Sequence, residues 1–185
     1  LNKYISFLFC IVAFSASVSA KTMSEFNVIT LEFGGLTGTS RVNNNVDTVL
    51  NNQLKNESIG VGSSIGVTFN KKLNSPFEFG MGLVYQNIEN KPLYIIKAIE
   101  VKYLASESVK LKSSLGAGTY QLASPSMGYV VTAGIEYQPS NYFVSLQYQF
   151  ADHLSRDQLD ASDVGDGIAS FTSISALLFT VGINF

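Results

Sequence analysis

The stretch Tyr142-Phe143-Val144-Ser145-Leu146-Gln147-Tyr148-Gln149-Phe150 alternates strictly, with Tyr142, Val144, Leu146, Tyr148 and Phe150 on one face and Ser145, Gln147 and Gln149 on the other. Period-two alternation marks a β-strand with one apolar face. Four further stretches keep the same rhythm. Ile59, Val61, Ile65, Val67 and Phe69 stand opposite Gly60, Gly62, Ser64, Gly66 and Thr68. Phe77, Phe79, Met81, Leu83 and Tyr85 stand opposite Glu78, Gly80, Gly82 and Gln86. Tyr129 to Tyr137 and Leu177 to Phe185 alternate in the same way. Three less regular runs, roughly 26–36, 93–104 and 109–121, bring the expectation to eight strands of about 9–14 residues. Turn chemistry separates the runs at Asn70–Pro76, Ala105-Ser-Glu107, Ser124-Pro-Ser126 and Gln138-Pro-Ser-Asn141. The two long interruptions are 37–56, rich in Asn, and 152–169, rich in Asp.

Eight antiparallel strands close either around an apolar pocket or with their apolar faces outward. The interior of such a barrel is only just wide enough for side chains to fill. The Gly, Ser, Thr, Glu and Gln faces fit inside it, whereas the Ile, Val, Phe and Tyr faces would crowd it. An outer wall of alternating glycines facing water would also be weakly strand-forming. Apolar outside and small or polar inside is the arrangement that spans a membrane. Aromatic placement agrees: Phe69, Phe77, Tyr103, Tyr137, Tyr142 and Phe185 fall beside the short turns, and Tyr85, Tyr129, Phe150 and Phe171 beside the loops. Two aromatic rings are what two membrane interfaces favour.

The chain of 185 residues is 46% hydrophobic and 14% charged, with a formal net charge of -2 and one cysteine, Cys10. That balance excludes a basic nucleic-acid footprint, a disulfide framework and a cysteine metal site. Residues 1–20 read as an export signal: Lys3 supplies the positive start, Tyr4 to Phe14 the apolar stretch, Ser15 to Ala20 the small-residue tail. Val18 and Ala20 suit the signal-peptidase site, so cleavage before Lys21 is expected, leaving a single barrel domain over 21–185. The fold class expected is all-β: an eight-stranded antiparallel up-and-down transmembrane barrel behind a cleaved signal peptide.

The ending Phe179-Thr-Val-Gly-Ile-Asn-Phe185, the alternating strand before it and the leader together resemble the small outer-membrane β-barrel superfamily of OmpA-, OmpX- and opacity-type proteins. The resemblance implies location in the outer membrane of a Gram-negative cell. It implies contact with lipid and lipopolysaccharide, and assembly by the barrel machinery that reads a C-terminal strand ending at Phe185. It implies a structural or surface-interacting, adhesin-like role. A monomer is expected, with no nucleic-acid partner and no cofactor.

Inward parity falls on Glu78, Glu100, Lys102, Lys110, Lys112 and Glu136, all towards the turn end, and Glu32 shares it. Opposite charges in a narrow lumen must satisfy one another, so these seven read as an interior salt-bridge network. The alternative is a gated, narrow ion path. Lys97 breaks the pattern: simple alternation would aim it at lipid, at a cost of about 2–4 kcal/mol. A β-bulge near Lys97-Ala98 would turn it inward and leave Tyr94, Ile96, Ile99, Val101 and Tyr103 outward.

One catalytic alternative is open. His153 and Ser155, two apart on one strand, would face one side and with an acid form a hydrolytic triad. Lipid A 3-O-deacylases resemble this arrangement, and Asp163 or Asp166 would then be the acid. Arg156 stands where that family has Asn, and the parity puts His153 inward or just beyond the strand. Asp157, Asp160, Asp163 and Asp166 match no calcium loop and read as a solvated acidic surface. No metal site is expected.

Overall fold

The computed structural model describes residues 28–44, 56–73, 75–120, 124–158 and 169–185. The expected leader 1–20 and its cleavage point lie outside the described residues. Eight long strands form the wall: β1 (Val28–Asn44), β2 (Asn56–Lys72), β3 (Phe77–Ile88), β4 (Lys91–Leu104), β5 (Val109–Tyr120), β7 (Gly128–Tyr137), β8 (Tyr142–Asp152) and β10 (Ala169–Asn184). Two short strands, β6 (Ser124–Pro125) and β9 (Ser155–Gln158), lie at one rim. Each long strand pairs antiparallel with the next. The wall closes when β1 pairs β10 from Thr30↔Asn184 to Asn44↔Ser170. No long strand is left with a free edge along its full length, which is how a barrel avoids edge-to-edge association.

Short connections at 73–76, 105–108 and 138–141 define a turn end, where Val28 and Asn184 also lie. The opposite end is the loop end. There the β3–β4 hairpin turns through Glu89 and Asn90 alone, with φ of 52° and 61° and Ile88 paired to Lys91. Positive φ at both central residues is the hairpin geometry whose twist matches the strands.

Two expectations about strand length are corrected. β1, β2 and β10 run for 17, 17 and 16 residues, beyond the expected range. The long interruptions shrink accordingly to 45–55 and 159–168, both outside the described residues. Thr37 to Asn44 carry no apolar alternation and so read as loop in the sequence. They are strand because β10 pairs all of them and β2 pairs Gly38–Arg41 on the other side. Ser124-Pro125, expected as part of a turn, pairs β9 instead.

The expected outward faces hold along most of the wall. Phe33, Leu83, Leu115, Ile135, Leu146, Leu177 and Phe179 are exposed. Phe77 and Tyr103 touch at 5.2 Å at the turn end; Tyr85–Tyr94 at 5.5 Å and Tyr129–Phe150 at 6.1 Å do so towards the loop end. Ile59 is the exception. Leu36 pairs Gly62 but Gly38 pairs Ile59, so β2 carries an extra residue at Gly60-Val61. The bulge leaves Val61 outward and 91% exposed while Ile59, expected beside it, is buried in the lumen.

The lumen itself departs from the expectation of a small and polar interior. Its loop-end half is apolar: Leu36, Ile59, Ile88, Leu93, Ile95, Tyr120, Val130, Ala151, Leu154, Ile174, Ala176 and Leu178 form one buried cluster. Leu93–Ile96, Tyr129–Val131 and Ile174–Phe179 are largely apolar on both faces, so alternation is silent about them. A dry core in this half predicts that Ile174→Ala destabilises the barrel by about 2–5 kcal/mol in urea unfolding. A water-filled mouth would leave the change below about 1 kcal/mol.

Candidate functional site

The turn-end half of the lumen holds the charges. Glu32 on β1, Glu78 on β3, Glu100 and Lys102 on β4, Lys110 and Lys112 on β5 and Glu136 on β7 all point inward; all but Glu78, at the rim, are buried. Those seven side chains comprise four acids and three bases. The fourth base is Lys97, which the sequence marked as misplaced but did not count in the network. Its position follows from an extra residue in β4: Gly80 pairs Glu100 while Gly82 pairs Lys97, and Lys97 pairs Gly116 while Ile99 pairs Leu115. Ala98 absorbs the extra residue, Ile99 and Tyr103 face outward, and Lys97 enters the lumen. Charge balance was the available signal, since four carboxylates in a closed bore call for four cations.

The contacts are short. Lys97 Nζ lies 2.7 Å from Glu32 and 2.8 Å from Glu100, and Lys112 Nζ lies 2.8 Å from the other Glu32 oxygen. Lys102 Nζ sits 2.9 Å from Glu136, and Lys110 Nζ 2.7 Å from Glu78. Every inter-strand contact in this set joins staves that are not neighbours: β4 to β1, β5 to β1, β4 to β7 and β5 to β3. The ion pairs therefore brace staves that backbone pairing does not join, and Lys112–Glu32 spans the bore, since β5 lies opposite β1. Longer approaches of Lys112 to Glu100 (3.6 Å) and Glu136 (3.9 Å) and of Lys102 to Glu100 (3.8 Å) tie the braces together.

Phe143 lies among these charges, buried, with Lys102 Nζ 5.4 Å and Lys112 Nζ 5.8 Å from its ring centroid. Ammonium groups over an aromatic face gain from the ring quadrupole. Gly182 makes the space: a Cβ at that position would collide with the Phe143 ring. Below the charges, Asn70 donates to Thr30 Oγ1 at 2.7 Å and Thr30 donates to Asn184 at 2.6 Å, across the β1 seam.

Above the charges a polar layer separates them from the apolar half. Gln86 and Gln149 exchange amide hydrogen bonds of 2.9 and 3.0 Å across the bore. Ser114–Thr132 (2.7 Å) and Ser145–Thr180 (2.6 Å) pair within the wall. Beside the glutamines lies a cavity of about 20 Å³ that Glu32 and Lys97 line from the charged half and Ile95, Val130 and Leu178 from the apolar half. That is room for about one water molecule.

The catalytic alternative meets a different geometry. β8 ends at Asp152, and His153 adopts φ 60° just beyond the strand. Its ring stacks outside the lumen, 4.4 Å from Phe171 and 6.4 Å from Tyr129, with Nδ1 3.0 Å from the Asp152 carboxylate. Leu154 then turns inward, and Ser155 opens β9. The left-handed residue interrupts the regular alternation on which the expectation of one shared face rests. The side chain of Ser155, and Asp160, Asp163 and Asp166, lie outside the described residues. Among the described residues no three His, Cys, Asp or Glu side chains gather as a metal site.

No protein-family model and no curated protein sequence matches the chain. Among solved structures it is similar to Ail, the attachment invasion locus protein of Yersinia pestis, at 13% identity and a TM-score of 0.48, over 86% of this chain and 99% of that one. It is similar to Neisserial surface protein A at 12% identity and 0.48, over 86% and 99%. It is also similar to the outer membrane protein OprG of Pseudomonas aeruginosa at 8% identity and 0.47, over 87% and 97%. The barrel rests on its own closed pairing register and not on these likenesses.

Cross-bracing predicts a specific mutational pattern. Lys97→Met takes one cation from both Glu32 and Glu100, leaves four inward carboxylates to three ammonium groups, and lowers the unfolding free energy by about 3–5 kcal/mol. Lys110→Met is partly rescued by adding Glu78→Gln, which removes the stranded partner. Urea unfolding in micelles reads both. Equal stability of the single and double Lys110 variants would deny the pairing.

Proposed function

We propose that the protein is an integral outer-membrane β-barrel with a structural, surface-presenting role and a sealed lumen. The observation that carries this is its inverted polarity. Large apolar side chains are exposed around the wall between two aromatic zones, while eight charged side chains point into the bore. A surface that continuous in apolar residues is unstable in water. In hydrocarbon it is required, because a closed barrel leaves no backbone group unpaired and only apolar side chains face lipid.

In this reading the turn end faces the periplasm and the loop end faces outward. The segments 45–55 and 159–168 are then carried at the cell surface on a rigid wall, where loops are free to differ and to make contacts. Adhesin-like contact with another surface is the finer part of the proposal. Lipid and lipopolysaccharide surround the wall. The barrel assembly machinery engages the last strand, whose Phe179, Val181 and Phe185 are exposed along one face. Cleavage of residues 1–20 on export belongs to the same reading.

The ion pairs inside the bore and the apolar half above them weigh against a conducting pore. The break at His153 weighs against a hydrolase built on His153 and Ser155.

Two arginine substitutions test the membrane reading. Leu146 is outward, midway along β8 between Tyr142 and Phe150, so Leu146→Arg is expected to cost about 2–4 kcal/mol of folding free energy in lipid vesicles. Val61 is even more exposed but lies four residues beyond Ile65, which pairs with Tyr85 of the loop-end aromatic zone. Val61→Arg is expected to cost less than about 1 kcal/mol. Equal, small effects at both positions would overturn the proposal.

A further inference from the structure

Among the described residues, the chain that follows β8 turns back over the loop-end half of the lumen. Leu154 belongs to no stave, yet it is fully buried in the apolar cluster. Its N–H donates to Thr172 O on β10 at 3.2 Å, and its carbonyl accepts from Tyr120 N on β5 at 3.1 Å and from Ser126 N at 3.2 Å. β7 and β8 separate β5 from β10 in the wall, so this one residue bridges two staves that do not touch. Gly118 lies beside it: a Cβ there would meet Val130 at 2.9 Å and touch Leu154 at an ordinary 3.4 Å.

We infer that residues 153–158 form a latch over an apolar chamber, and that the chamber takes a small uncharged apolar molecule when Leu154 swings out. The latch is held by fewer strand pairs than a stave. β9 pairs β10 at Ala169↔Gln158, Ser170↔Asp157 and Phe171↔Arg156, and β6 at Ser124↔Arg156 and Pro125↔Ser155. The stave β8, by contrast, is paired along its length on both sides. Segments with few pairs open first, without the rest of the fold. His153 supplies the hinge, since a non-glycine residue in the left-handed region relaxes once the chain lifts.

The chamber survives the opening because its walls belong to the staves. Ile95, Val130, Ala151, Ile174 and Leu178 remain where they are when Leu154 leaves. Its floor, the Gln86–Gln149 pair, satisfies its own amide groups and offers nothing to a charged guest. A cavity lined in this way stays dry and accepts apolar guests. The size class is that of the side chain displaced, an isobutyl group or a benzene ring. This inference concerns the lumen alone and holds whether or not the wall proves to lie in a membrane.

Hydrogen exchange of the full chain in detergent micelles, with benzene as the probe, tests it. Benzene binds the open latch, so the amides of 154–158 are expected to exchange about tenfold faster at saturation while those of β7 and β8 are unchanged. In Leu154→Ala the space exists with the latch shut, so benzene is expected to slow the same amides. Reversal of sign between the two proteins supports the latch. Latch amides that exchange at the stave rate, or that respond to benzene identically in both proteins, overturn it.

Discussion

The bore of an eight-stranded barrel is the constraint on which the rest of this structure depends. It is too narrow to hold bulk water and too wide to be left empty, so each inward side chain must be packed and each inward polar group paired. The chain meets most of that demand in layers, with Thr68 Oγ1 and Asn70 Oδ1 among the buried atoms left without a hydrogen bond. Four carboxylates and four ammonium groups fill the turn-end half, two glutamines and four hydroxyl groups the middle, and an apolar cluster the loop end. The ion pairs do more than neutralise one another. Backbone pairing fixes only neighbouring staves, whereas Glu32–Lys112 sets a distance across the bore and Lys102–Glu136 one between staves that do not pair.

Much of this was legible in the sequence, for identifiable reasons. Where one face of a strand is apolar and the other small or polar, as in Tyr142–Phe150 or Phe77–Gln86, alternation specifies both the strand and the side it presents. The same parity places Glu78, Glu100, Lys102, Lys110, Lys112, Glu136 and Glu32 inside. Lys97 was legible in another way, as a residue that regular alternation would put at prohibitive cost in lipid; one inserted residue at Ala98 removes the conflict.

What stayed hidden has equally physical causes. Leu93–Ile96 and Ile174–Phe179 are apolar on both faces, so nothing in their pattern says that half of those side chains fill a lumen. Ile59 was misassigned because the Gly60-Val61 bulge shifts parity, and a glycine beside a valine gives no charge conflict to expose the shift. The upper parts of β1 and β10 lie beyond the apolar band and hold together through mutual pairing, which a one-dimensional reading does not contain. Leu154 looked like an interval between His153 and Ser155. In three dimensions it is buried in the loop-end cluster and its backbone bridges β5 and β10, after a left-handed residue that interrupts the alternation.

The central claim is that alternate residues of each stave face hydrocarbon and a sealed bore. Nitroxide labels placed one at a time from Val144 to Gln149 on β8, in lipid vesicles, test it most directly through collision with oxygen and with a water-soluble nickel chelate. At Val144, Leu146 and Tyr148 the account predicts frequent collision with oxygen and little with nickel. At Ser145, Gln147 and Gln149 it predicts little collision with either. Nickel reaching the odd-numbered positions, or oxygen reaching both sets alike, would contradict it.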